Sequence, residues 1–335
     1  MSSVSIDRQA RLPRGTDLLR FGVPAALAAV LLVFAIAAPG FLTLNNVAGV
    51  LVNNVALTAI VALAMTLAVA AGGTDLSVGT AVDLGSLAFV SAIAAGHPVW
   101  IAALLGVLAG VGTGVFNAIL IARLGITPFL ATLGTLFIGH SLQQLTTDGG
   151  NPVYVSAASI PPALAFIGHG SVLGVPFVLW LLAGLAFGTW LVLARTRFGR
   201  EVLAIGVEPQ VALYSGLPVG RILTLVYGAS AALAAVAGIL LSAHVNAYVP
   251  YSGNAYLLDS IGAAFIGTSL SRTRRANVPG TLLGVALFGF VQNGLLLVGW
   301  NFYWQQVGTG ILIFGALLLA FAGRGSAARG RPGAH

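Results

Sequence analysis

The chain contains no cysteine, no lysine and very little charge of either sign: 15 arginines and 8 acids make up 7% of its 335 residues. Without cysteine there are no disulfides, no cysteine-held zinc and no thiol catalysis. Without lysine there is no P-loop, whose G-x-x-x-x-G-K-[ST] signature sets a lysine on the phosphates, and no Schiff-base chemistry. The scarcity of charge excludes more. A soluble domain carries about 25% charged residues, and a chain that is 58% hydrophobic, with mean hydropathy +0.99, cannot cover a water-exposed globule. No H-E-x-x-H, no G-x-S-x-G and no carboxylate pair at fixed spacing occurs, so neither a metal site nor an enzymatic reaction is indicated. What remains is a polytopic membrane protein.

A helix crosses a bilayer with roughly 20 apolar residues. Such runs follow one another at about 21–41, 46–71, 79–96, 98–122, 127–147, 174–194, 221–244, 255–271, 278–299 and 301–323. The pattern predicts an all-α, polytopic transmembrane helical bundle of about ten spans. Runs 79–96 and 255–271 are the weakest, being short and carrying Asp83 and Asp259. The first run is longer than the apolar core of a signal peptide and lacks a convincing cleavage site. With ten spans every arginine falls on one side: Arg8, Arg11, Arg14 and Arg20, then Arg123, then Arg195, Arg197, Arg200 and Arg221, then Arg272, Arg274 and Arg275, then Arg324, Arg329 and Arg331. The positive-inside rule makes that side, and both termini, cytoplasmic. Trp100, Tyr154, Tyr248, Tyr251, Trp300, Tyr303 and Trp304 gather at the opposite ends as interfacial anchors. Residues 1–20 and 324–335 are then cytoplasmic arms flanking a membrane domain over 21–323, their arginines suited to anionic lipid headgroups.

Two connections are long. The outer segment 148–173 has turn formers at both ends and an apolar middle. The cytoplasmic segment 195–220, RTRFGREVLAIGVEPQVALYSGLPVG, holds two helical patches, Arg200–Ile205 and Pro209–Tyr214, the second opening on a proline suited to a first helical turn. A simple connector could be far shorter, so this surface suits a soluble partner. Glycines recur at small-xxx-small spacing in Gly106/Gly110/Gly114, Gly184/Gly188 and Gly280/Gly284, which predicts close helix packing within the bundle.

Polar residues stand out against this background. Gly72, Gly73, Asp75, Leu76, Ser77 and Gly79 interrupt the apolar run in GGTDLSVG. Asp75 and Ser77 can cap a helix beginning near Val78, or broken helix ends can line a solute path. Asp83 and Asp259 are the acids inside predicted spans, with a functional role or a helix-end role open to each. His140 and His244 read as hydrogen-bonded packing residues. Thr127–Gly134, TPFLATLG, opens a helix whose Pro128, Phe129 and Thr132 make it a candidate pathway wall, as does Asn293 further on. Neutral hydroxyls and amides suit an uncharged polyol better than an ion.

In order, these segments resemble the permease subunit of bacterial ABC sugar importers of the ribose, galactose, xylose and autoinducer-2 class. GGTDLSVG (72–79) matches that family's GG-x-D-L-S-V-G almost letter for letter. TPFLATLG (127–134) resembles its PF-x-x-TLG helix start. TRFGREVLAIG (196–206) with ALYSG (212–216) is similar to its T-x-FGR-x-x-x-AIG…A-x-x-SG coupling loop, and PYSGNAYLLDS (250–260), IGAAFIGTSL, Gly280-Thr281 and Gln292-Asn293-Gly294 continue the likeness over roughly 45–322. The resemblance implies ATP-driven uptake of a monosaccharide across the bacterial inner (plasma) membrane. It implies a pore of two permease subunits, a homo- or heterodimer, fed by an extracytoplasmic sugar-binding protein. ATP would be bound by a separate ABC ATPase subunit docked on the 195–220 loop, with Phe198, Gly199, Arg200, Glu201, Gly206 and Glu208 as coupling residues. This chain itself would hold no cofactor, and its partners would include membrane lipid but no nucleic acid. Two departures stand out: Glu208 replaces the family's usual asparagine, and Arg272, Arg274 and Arg275 replace a glycine-rich turn. A stand-alone, ion-coupled secondary transporter of a small polar solute is the alternative; the elaborate inner loop and the lack of intramembrane ion pairs weigh against it.

Overall fold

In lipid no water satisfies a free N–H or C=O, so an apolar chain is driven into helices that bond within themselves. The computed structural model describes residues 22–156, 160–271, 275–301, 303–311 and 314–315. The N-terminal arm, the C-terminal tail and the arginines at 8, 11, 14, 20, 272, 274, 324, 329 and 331 lie outside the described residues. The chain is a mostly helical, multi-pass bundle. Its helices are α1 (Gly22–Ala37), α2 (Leu44–Val50), α3 (Ala56–Ala70), α4 (Val78–Ala94), α5 (Val99–Ala122), α6 (Pro128–Thr146), α7 (Pro162–His169), α8 (Phe177–Arg195), α9 (Arg197–Val207), α10 (Pro209–Tyr214), α11 (Val219–Val245), α12 (Asn254–Leu270) and α13 (Val278–Leu297). A further helical stretch covers 303–311. Among the described residues, the stretch Leu44–Ala70 together with α5, α8, α11 and α13 is long and apolar enough to cross a membrane, and α1 and α4 are shorter apolar helices.

The core forms where small residues let backbones meet. α11 packs along α5, α4 and α3, while α12 packs on α13 and α3. Gly106, Gly110 and Gly114 of α5 press on Gly85, Ala235, Ala231 and Tyr227, and Gly280 and Gly284 of α13 press on Gly267 and Ala263. The expected packing role holds for both sets. It does not hold for Gly184 and Gly188 of α8, where an added Cβ would meet nothing within 4 Å. α3 is the central helix, buried over nearly its whole length. Large apolar side chains that remain exposed, such as Ile36, Leu108, Phe137, Phe187 and Leu225, lie on outer faces, where lipid tails solvate them as well as a core would.

The contacts separate two ends. At one end Ala70, Ala71, Val202, Ile205, Ala212, Ile222, Ala276 and Val278 form one apolar cluster, and among the described arginines Arg195, Arg197, Arg200, Arg221 and Arg275 flank it in sequence. At the other, Ile93, Ala102, Val155, Leu164, Ala243 and Tyr248 cluster, and the short strands β1 (Val153–Tyr154) and β4 (Ala247–Tyr248) pair antiparallel. The hairpin of β2 (Ser171–Val172) and β3 (Val175–Pro176) leads into α8. The segment 148–173, expected on the outer side, carries α7 and strand pairings.

Two irregularities interrupt the regular helices. Between α2 and α3 the chain winds as a π-helix over Leu51–Val55, a form that inserts a residue per turn and often marks functional positions. And α4 and α12 begin side by side in the interior: the Gly79 and Gly253 backbones touch, leaving no room for a Cβ at Gly253.

Candidate functional site

The GGTDLSVG break follows directly from α3. Gly72 takes φ +88°, which reverses the chain. Helix α4 begins at Val78, with Ser77 at the N-cap position. The cap is worked by Asp75 instead: its Oδ1 accepts the Ser77 backbone N–H at 2.9 Å and the Ser77 hydroxyl at 2.6 Å. Asn117 of α5 donates to the Ser77 Oγ at 2.5 Å, and Thr135 of α6 donates to the Asn117 Oδ1 at 2.5 Å. Thr132 accepts the Leu76 N–H at 3.0 Å. Asp75, Ser77, Asn117, Thr132 and Thr135 are all buried. This chain ties the break to α5 and α6, with Pro128 against Gly73. Phe129 stays exposed.

The same break touches the arginine-end hairpin. An added Cβ at Gly206 would fall on the Ala70 carbonyl and lie 3.0 Å from the Gly72 nitrogen. Helix α9 is therefore seated backbone to backbone on the 70–72 turn. Its N-terminus is capped by Thr196, whose Oγ1 accepts the Gly199 N–H at 3.0 Å, and Arg197 pairs with Glu201 at 2.9 Å. Gly199, Val202 and Ile205 face inward and Phe198 packs on the same apolar cluster, while Arg200 and Glu208 are exposed. The tip beyond carries apolar side chains with no cover among the described residues: Val207, Val211 and Leu213 are more than half exposed, and Tyr214 is 87% exposed. The expected coupling residues run from Phe198 to Glu208, and the uncovered apolar side chains begin at Val207 and continue along α10 to Tyr214.

Asp83 sits fully buried on α4. Its Oδ1 accepts the Gly253 N–H at 2.8 Å and the Ser252 hydroxyl at 3.0 Å. Gln143 of α6 stands beside it and accepts the Tyr248 hydroxyl at 2.9 Å and the Tyr251 N–H at 3.0 Å. His140 meets Asn254 at 3.2 Å and stacks edge-on against Tyr251. His244 lies against His169 and the Gly168 carbonyl. Asp83, Gln143 and His140 clamp the segment 248–254 onto α4 and α6, and so fix where α12 starts.

Beside that start opens a polar cavity of about 460 Å3. The π-turn presents Asn53 and Asn54, α12 presents Asn254 and Asp259, α13 presents Gln292, and the 303–311 stretch presents Gln306. Gln292 donates to the Asp259 Oδ2 at 2.9 Å. Asp259 is thus the one expected pathway residue that reaches this cavity. Pro128 and Thr132 belong to the GGTDLSVG network, and Asn293 exchanges amide hydrogen bonds with Asn46 at 2.9 and 3.2 Å. Asn53, Asn54 and Gln292 had a signal in sequence, amides inside apolar runs, but no local pattern to join them. Volumes of this order suit small ligands, and the amides, the Thr58 and Thr309 hydroxyls and the Asp259 carboxylate offer hydrogen bonds beside apolar Ala255 and Leu258.

Comparison with known proteins follows the same outline. A family model described as "Branched-chain amino acid transport system / permease component" matches residues 46–320. The ribose import permease protein of Bacillus subtilis is 34% identical over 291 residues, 87% of this chain and 89% of its own length. Its counterpart from Escherichia coli strain K12 is 29% identical over 294 residues, 88% and 91% of the two chains. The autoinducer 2 import system permease protein of Photorhabdus laumondii is 32% identical over 285 residues, 84% and 85%.

Proposed function

The chain belongs to the branched-chain amino acid transport system / permease component family, and from that premise we propose that it is the permease of an ATP-driven importer of a small sugar in the bacterial inner membrane. The carrying observation is the match to ribose and autoinducer-2 import permeases over most of both lengths. Two features of the geometry support this reading: an open pocket lined by amides and Asp259 beside the start of α12, and at the other end an uncovered apolar tip tied to the core by backbone contact.

In this reading the chain crosses the membrane ten times over 21–323, with both termini, the arms 1–20 and 324–335 and the 195–220 hairpin in the cytoplasm. The 148–173 segment, with β1 and α7, faces outward, where an extracytoplasmic binding protein delivers the sugar. A separate ATPase subunit grips α9 and α10, with Arg200, Glu201 and Glu208 framing the apolar tip of Val207, Val211 and Tyr214. Phe198, Gly199 and Gly206 seat the hairpin from beneath. A second permease subunit completes the pore. ATP stays on the partner, since a lysine-free chain has no P-loop.

The test is uptake of radiolabelled D-ribose, D-xylose and D-galactose into proteoliposomes holding the permease, its ATPase and the binding protein. Uptake of at least one sugar, dependent on internal ATP and lost when the ATPase is omitted, is expected. Uptake that survives without the ATPase and collapses with a protonophore would instead establish an ion-coupled carrier.

A further inference from the structure

The geometry points to Asp259 as the residue that makes the cavity selective for a neutral, unphosphorylated polyol, by accepting hydrogen bonds from its hydroxyls. This inference rests on the sugar-import reading and adds to it the chemistry of selection. A carboxylate is acceptor only, with room for several donors on its two oxygens. Asp259 uses Oδ2 on the Gln292 amide at 2.9 Å, and its Oδ1 has no partner among the described residues while the residue lines the cavity. The same contact holds Gln292 in place as a neighbouring amide. Asn53, Asn54 and Gln306 line the same cavity, and their amides both donate and accept.

Charge then decides the ligand class. Among the described lining residues no arginine or histidine stands with Asp259, so a phosphate ester or sugar acid would bring an anion against a carboxylate with no cation beside it to compensate. A neutral polyol brings O–H donors to Asp259 and O acceptors to the amides. A purely structural clasp between α12 and α13 would need only Oδ2 and would not require a charge.

The cysteine-free chain offers a direct assay. Gly310 lines the cavity and a Cβ there meets nothing within 4 Å, so Gly310→Cys places a single thiol at the site. Its labelling by methyl methanethiosulfonate is followed in the purified full-length permease in nanodiscs. Among D-ribose, D-xylose and D-galactose at least one is expected to slow labelling, and D-ribose 5-phosphate is not. Adding Asp259→Asn should raise the half-protecting sugar concentration roughly tenfold or more, as loss of a charge-assisted hydrogen bond does, while Asp259→Glu retains protection. Unaltered protection in Asp259→Asn, equal protection by the phosphate ester, no protection by any of the neutral sugars, or slowing by sodium chloride but not choline chloride would each overturn the assignment. So would loss of protection in Asp259→Glu and Asp259→Asn alike with unfolding of both. ATP-driven uptake by the assembled complex is measured separately: import without protection refutes this inference alone, and protection without ATP-driven import refutes the import reading alone.

Discussion

Replacing Gly206 by alanine sets two effects of opposite sign against each other. Alanine is the better helix former, worth up to about 1 kcal/mol inside a helix, and less at the penultimate position that Gly206 holds in α9. Against that, the new Cβ would fall on the Ala70 carbonyl oxygen and 3.0 Å from both the Ala70 carbonyl carbon and the Gly72 nitrogen. All three are backbone atoms of a turn held by the Gly72 N–H to Val69 carbonyl and Gly73 N–H to Ala68 carbonyl bonds, so no side chain can swing aside. Overpacking of a tight site costs about 1–3 kcal/mol, so the clash wins, with a net loss of roughly 1–2 kcal/mol. Gly228→Ala calibrates the favourable term, because Gly228 lies mid-way along α11 and a Cβ there meets nothing within 4 Å. Thermal unfolding in detergent, followed by tryptophan fluorescence, should therefore rank Gly228→Ala at or above the parent and Gly206→Ala below both. A Gly206→Ala protein that melts with Gly228→Ala would refute the backbone seating of α9.

Three further outcomes are expected. Asp83→Asn sets an amide where a carboxylate accepts two donors beside Gln143 and should destabilise the permease by about 1.5–3 kcal/mol. Adding Gln143→Glu reverses the donor–acceptor pattern, so a double-mutant cycle should recover about 1 kcal/mol; strict additivity would show that the two side chains do not meet. Val211→Asp combined with Tyr214→Asp alters only exposed side chains, so unfolding should shift by no more than about 0.5 kcal/mol per site, while co-purification of the ATPase subunit and ATP-driven uptake are lost. Co-purification at parental yield would move the docking surface elsewhere. Gly114→Ala should destabilise by about 1–3 kcal/mol, since its Cβ falls on the Tyr227 carbonyl; a melting temperature equal to the parent's would contradict the α5–α11 contact.

The parts of this fold that depend on local sequence were legible before any coordinates, and those that depend on register were not. Apolar length announced the long helices, and Pro128 and Pro209 announced where α6 and α10 begin. GGTDLSVG announced a break with a cap, because a positive-φ glycine followed by Asp and Ser satisfies its needs within eight residues. It could not announce which atom does the capping: Asp75 takes the Ser77 N–H, and Ser77 is left to Asn117, forty residues away. The cavity is harder still. Asp259 and Gln292 stand 33 residues apart, and their meeting depends on how α12 and α13 slide along each other, a register set by the Gly267–Gly280 approach. Asn53 and Asn54 face the same space only because the chain widens into a π-turn over Leu51–Val55, a deviation that hydrophobic periodicity averages away.

Those same long-range contacts give the α9–α10 hairpin and the cavity beside α12 a physical connection. Gly206 rests on the turn at 70–72; that turn leads into α4; α4 holds Gly253 through Asp83 and through the Gly79 backbone; and Gly253 is the residue on which α12, with Asp259, begins. Two of the links, Gly206 to the turn and Gly79 to Gly253, are backbone against backbone, and packed interfaces of this kind move as units instead of deforming smoothly. A displacement of α9 by a partner must therefore break the seating at Gly72 or carry the start of α4 with it. In the second case the Asp83 clamp obliges the first turns of α12 to follow, and the wall of the cavity shifts. Side-chain layers with spare rotamers between α9 and α12 would absorb such a push, and along this route glycines stand where those layers would be.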